Sequence, residues 1–223
     1  MQRGSRDELL RDVAGTIGSI TLGHPVRVGI DGPPAAGKTT LADELAVVLR
    51  DEGCDVIRAT IEGFLFPRAQ RHRRGEYSPE GCYFDNHDYE ALNRVLLDPL
   101  GPDGDGRFQH AIYDKPADEA LSRPIVTAAA DAVLLFDGVF LMRPEIVDRW
   151  DLTIFISTEF ERTLDRALIR ERDALPTADI ERRWRERYIP SQEIYFAAER
   201  PTDRADIVIY NDDLHQPEWE VRL

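Results

Sequence analysis

Lysine is nearly missing from this chain. Of 28 basic residues in 223, only Lys38 and Lys115 are lysines, and the other 26 are arginines. Cysteine is as scarce. Cys54 and Cys82 form no C-x-x-C pair and no framework, which excludes a disulfide-stapled scaffold and predicts a reducing interior with both thiols as small apolar packing groups. No apolar run is long enough to cross a bilayer. The opening residues, MQRGSRDELLRDV, are charged throughout and carry no secretory pattern, so a cytoplasmic protein is expected. Positive charge is outweighed: 42 acidic residues give a formal net charge of −14 and a pI near 4.8. Such a surface disfavours nucleic acid and anionic membranes as partners.

What is present is an alternation of short apolar runs with amphipathic stretches. PVRVGI (25–30), DVIRATI (55–61), AVLLFDG (132–138), WDLTIFIS (150–157) and ADIVIYN (205–211) read as strands, and 107–113 as a weak one. Between them, helical spacing marks 6–20, with Ser5 or Asp7 as its cap, and then 38–53, 88–100, 158–173 and 179–199. Thr158 and Glu161 stand in capping-box positions. The pattern predicts an α/β fold, a three-layer sandwich around a mostly parallel five-stranded sheet with a helical lid. One domain is expected over 1–223, with an N-terminal helix within 1–22 and the lid and following helix at 158–199. Residues 62–87 read as irregular.

The first strand runs into DGPPAAGKTT (31–40). Gly32, Pro33, Pro34, Ala35, Ala36, Gly37, Lys38 and Thr39 fit GxxxxGK[ST], followed by Thr40. Backbone N–H groups in such a loop curl around a polyphosphate, and the helix that follows aims its positive end at the anion. Lys38 is expected to neutralise phosphate oxygens and Thr39 to ligate Mg²⁺. Asp137, at the end of the buried AVLLF run, is expected beside Thr39 to hold Mg²⁺ through a ligand water. Glu62 ends the second strand and is placed to take a proton from a hydroxyl. Asp31 is read as orienting the loop backbone. Arginines cluster at 68–74, 162–172 and 182–187. Arg166 and Arg170, four apart, can face one way and close over a phosphate. The 68–74 group, Arg71 and Arg73 above all, is a candidate for an anionic group on an acceptor.

Read in order, GIDGPPAAGKTTLADELA, IEGF, YSPEGCYFDNHDYEAL, YDKP, LLFDGVFLMRPEIVDRWD, RTLDRALIRERD and ERYIPSQEIYF resemble the uridine kinase-like branch of P-loop kinases. Phosphoribulokinases and pantothenate kinases are among its relatives. The resemblance implies an ATP- and Mg²⁺-dependent phosphotransferase with a small-molecule hydroxyl acceptor, and leaves self-association as a homodimer open. It implies Lys38, Glu62 and Arg170 as catalytic, with Phe64, Tyr83, Asp85, Tyr113, Asp114, Arg166 and Arg172 on the acceptor and lid side. Three departures stand out. Glu62 replaces the usual aspartate, no histidine follows the Tyr-Asp pair near Asp118, and Arg187 stands where a polar amide is expected. Together they favour a small hydroxyl compound over uridine itself. The other readings of the loop are an ATPase or switch, and a nucleotide-binding module without chemistry.

Overall fold

The β-branched run VRVGID forms a fully buried strand because helices cover both of its faces. It belongs to a seven-stranded sheet in a computed structural model that describes all residues from 1 to 223. The strands are β1 (Gln2–Arg3), β2 (Val26–Asp31), β3 (Val56–Thr60), β4 (Val133–Asp137), β5 (Leu152–Ser157), β6 (Ile207–Tyr210) and β7 (Glu218–Val221). The parallel part runs β3-β4-β2-β5-β6, with Ile30 and Thr60 both beside Asp137 and Asp31 beside Phe155. These are the five strands read from the sequence. The structure adds an antiparallel edge, β7 on β6 and β1 on β7. The weak strand expected at 107–113 is instead two fragments outside this sheet. Arg107–Phe108 pairs with Val126–Thr127, and Tyr113–Asp114 with Glu119–Ala120.

Helix α1 (Arg6–Gly18) starts at Ser5, whose hydroxyl accepts from the Glu8 N–H while Glu8 reaches back to the Ser5 backbone, a complete capping box. Its Leu9, Val13 and Ile17 pack with Leu41, Leu45 and Leu49 of α2 (Lys38–Asp51) and with Val28 and Ile154 of the sheet. The other face of the sheet is covered by a helical stretch, Tyr89–Leu92 continuing as a π turn through Asn93–Leu97. Leu92 and Leu96 there meet Phe136 and Trp150. Helices on both faces of one sheet make the three layers.

The segment 62–87 is less irregular than its composition suggests. It holds a 3₁₀ turn at Ile61–Phe64, a single helical turn at Arg68–Arg71 and a short helix, α3 (Pro79–Phe84), capped by Ser78. The lid comprises α4 (Phe160–Glu171), α5 (Thr177–Arg183), a π turn at Trp184–Tyr188 and α6 (Ile189–Glu199). Leu164, Ala167, Ile180 and Trp184 form its own small core, against which Ala35 packs. The expected capping box at Thr158 and Glu161 does not form. Glu159 occupies the cap with no side-chain bond, and the Thr158 hydroxyl is buried without a partner.

Candidate active site

At the carboxyl end of β2 the chain turns sharply. Gly32 and Gly37 take φ of 151° and 101°, and Ala35 takes 60°. A Cβ on Gly32 would lie 2.6 Å from the Ile156 carbonyl oxygen, and one on Gly37 2.9 Å from the Asn211 amide nitrogen, so both positions require glycine. Gly37 is the N-cap of α2, which leaves the first N–H groups of that helix facing the loop. The loop is tied from behind. The Asn211 side chain donates to the Ala36 carbonyl (2.8 Å), and Arg166 donates to the Ala35 and Ala36 carbonyls (3.5 and 3.4 Å) and to that of Asn211.

Asp31 has the backbone-orienting role expected of it. Fully buried, it accepts from the N–H groups of Gly32 (2.7 Å) and Leu141 (3.1 Å) and from the Tyr195 hydroxyl. Burial raises its carboxyl to about 6, against the pull of those donors and Lys38. Lys38 is buried along the loop, its Nζ donating to the Pro33 carbonyl (2.7 Å). Burial lowers its ammonium to about 8, opposed by the charges of Asp31, Asp137 and Glu62.

Thr39 Oγ1 donates to Asp137 Oδ2 at 2.6 Å. A hydroxyl and a carboxylate at this spacing are hard oxygen ligands of the kind Mg²⁺ accepts alongside phosphate oxygens and waters, so the pair fits that ion. No cluster of three or more acidic, His or Cys side chains offers a cage made of protein alone. The second oxygen of Asp137 accepts from Arg58 Nη2 (3.0 Å), which also bonds Asp43 (2.9 Å). Arg58, on β3, was not singled out in the sequence. Its position follows from the register that sets Thr60 beside Asp137.

A cleft of about 830 Å³ opens from the loop. Lys38, Thr39, Asp137, Glu62 and Arg170 all line it, so residues spread over more than 130 positions meet in one space. Pro34 and Ala35 complete the loop side, while Thr40 is exposed on α2 and does not reach the cleft. Glu62 projects from the 3₁₀ turn, half exposed, and forms an ion pair with Lys115. Both lysines of the chain thus stand in this cleft. Lys115 has no role in the sequence reading, where its rarity was the one available signal. Arg170 pairs with Glu171 (2.6 Å) at the mouth.

None of the seven residues expected on the acceptor and lid side lines the cleft. Phe64 is fully buried and packs on Phe136, because the 3₁₀ turn directs it into the core. Tyr83 packs on Phe140 beneath the Arg143 guanidinium. Asp85 is buried between Arg73 and Arg74 (2.6 Å to the latter), which also removes Arg73 from the cleft. The Tyr113 hydroxyl donates to Asp118, and Asp114 accepts from the Ala117 N–H (3.1 Å). Arg166 braces the loop from behind, and Arg172 is exposed beside Asp173 (3.8 Å). The wall they were expected to form is built instead by Arg68, Arg71, His72, Arg187, Ser191 and Gln192.

No family model matches the chain. Among characterised proteins, it is 24% identical over 207 residues to the pantothenate kinase of Corynebacterium diphtheriae, covering 89% of this chain and 60% of that protein. It is 27% identical over 154 residues to the uridine kinase of Brevibacillus brevis, covering 67% of this chain and 68% of that one. The chain therefore spans about 60% of the length of that pantothenate kinase. Among solved structures, a possible uridine kinase from Bacillus stearothermophilus superposes with a TM-score of 0.71 at 24% identity, over 91% of this chain and 97% of that one. Loop, strand order and these likenesses agree: the chain has the P-loop kinase fold and is similar in sequence to pantothenate and uridine kinases.

Proposed function

We propose that the protein is an ATP-dependent phosphotransferase that moves the γ-phosphate to a hydroxyl of a small molecule. The observation that carries this reading is the single cleft. It begins at Lys38, Thr39 and Asp137, passes Glu62, and continues to a polar wall that the loop does not need for a nucleotide. A switch or motor needs no second pocket of this kind beside its phosphate site. The named kinase relatives point the same way.

In this reading the loop amides and Lys38 hold the triphosphate tail, and Thr39 and Asp137 hold Mg²⁺. When bound, the ion neutralises charge on the phosphate oxygens. Glu62 accepts the proton of the acceptor hydroxyl, and its ion pair with Lys115 fixes where that carboxylate points. Arg170 carries a guanidinium to the phosphate side once the lid closes, exchanging Glu171 for phosphate oxygens.

ADP release measured with and without a broad set of small hydroxyl compounds tests the reading. One or more acceptors should raise turnover above the acceptor-free rate, and Glu62→Gln should cut that stimulated rate by about 100-fold or more. If no compound stimulates and Glu62→Gln changes nothing, the proposal is wrong.

A further inference from the structure

The polar wall has an unusual balance for a chain with net charge −14. Arg68, Arg71, Arg183 and Arg187 all line it, joined by His72, while the acids of the whole cleft are Glu62, Glu76, Asp137 and Glu171. Arg71 and Arg187 are 7% and 6% exposed, a degree of burial that ordinarily demands a carboxylate partner. Arg71 has Asp118 at 3.5 Å, the Phe66 carbonyl at 2.7 Å and the Tyr113 ring at 5.9 Å. Arg187 has no carboxylate within 4.0 Å. Its Nη1 donates to the carbonyls of Glu76 (2.6 Å) and Ser78 (3.4 Å), and the Cys82 thiol is a further neighbour, so its partners are neutral. Arg68 and Arg183 also lack a carboxylate in range.

A second observation is independent of charge. Gln192, on α6, is 1% exposed and lines the same cleft, yet neither its amide oxygen nor its amide nitrogen has a partner. Such an orphaned amide costs folding free energy that a ligand able to hydrogen-bond it would recover. The His72 ring also senses the local field. Burial first, then Arg187 and Arg71, hold its titration below the ordinary range.

We propose that the acceptor is an anionic hydroxyl compound, a carboxylate or a phosphate monoester. Its charge sits among Arg68, Arg71, Arg183 and Arg187, and a polar group beside that charge pairs with Gln192. This rests on the phosphotransferase reading. Guanidinium forks match both kinds of oxyanion, which is the chemistry the two sources share. A neutral nucleoside would leave Arg187 without an anionic partner.

The test is an ADP-release assay with Mg-ATP and two sets of hydroxyl compounds. One set consists of hydroxycarboxylates and sugar phosphates, and the other of their uncharged counterparts together with nucleosides. A pooled small-metabolite extract, split on an anion-exchange resin into retained and unretained fractions, extends each set. The expected result is stimulation by the anionic compounds or the retained fraction. Arg183→Gln and Arg68→Gln should then each raise the acceptor KM about tenfold, and Gln192→Leu should raise KM by a larger factor than it lowers kcat. Arg68 and Arg183 hold no carboxylate, so their variants keep the measurement available if Gln192→Leu fails to fold. Separate activity on the carboxylates and on the phosphates distinguishes the two sources.

Stimulation by uncharged compounds alone overturns the inference and leaves the phosphotransferase reading standing. An unchanged KM for an anionic acceptor in both arginine variants also overturns it. No stimulation by any compound or fraction removes the phosphotransferase reading, and this inference with it.

Discussion

A buried carboxyl such as Asp31, titrating near 6, responds to pH in the opposite sense to an ion-paired surface acid. Its folded range lies above the ordinary value of 3.8, so the folded state holds the proton more tightly than the unfolded chain does. The stabilisation is complete below about 3.8 and is lost as pH rises through about 6. Asp31→Asn cannot ionise and keeps an oxygen for the Gly32 N–H. The melting temperature of the parent relative to this variant should therefore be highest near pH 4 and decline toward pH 7. A difference that stays level over that range would show that Asp31 remains ionised throughout. At this scale the sequence was informative wherever a local pattern fixes geometry. Lys38, Thr39 and Asp137 were legible because a strand end followed by glycine sets where the backbone turns. Phe64, Tyr83 and Asp85 were not. Whether a side chain leaving a short turn faces core or cleft depends on partners far away, such as Phe136, Phe140 and the arginines at 73 and 74.

Two helix starts, the first read with Ser5 or Asp7 as its cap and the second with a capping box at Thr158 and Glu161, behave differently. Ser5 completes its capping box, so Ser5→Ala should cost about 1 kcal/mol, or roughly 2–4 °C in melting temperature for a chain of this size. Thr158 caps nothing and buries an unpaired hydroxyl, so Thr158→Val should be neutral or stabilise by up to about 1 kcal/mol. Thermal melting of the two variants beside the parent decides this, and a loss in Thr158→Val equal to that in Ser5→Ala would restore the second cap. The strands and the two main flanking helices were legible because periodicity and burial agree in them. The π turn at Trp184–Tyr188 was not, since nothing in WRERY marks the extra residue. Trp184 and Arg187, three positions apart, both face inward from this turn.

Across the whole molecule, the surplus of acidic groups repels itself. Raising ionic strength from 0.01 to 0.15 M shortens the screening length from about 30 to about 8 Å, and should raise the melting temperature. A fall would mean that local pairs such as Arg27–Asp151 (3.0 Å) outweigh the long-range repulsion. The sheet and its loop edge were readable at this scale, whereas the acceptor wall was not. It joins Arg71 to Gln192 across more than a hundred positions, and no motif spans that gap. The path from Phe160 to Glu199 carries Arg170 and Arg183 as well as Arg187 and Gln192, so one helical body touches both compartments of the cleft. Linkage then makes the two occupants interdependent: whatever factor filling one compartment applies to affinity in the other must be returned unchanged in the reverse order of addition.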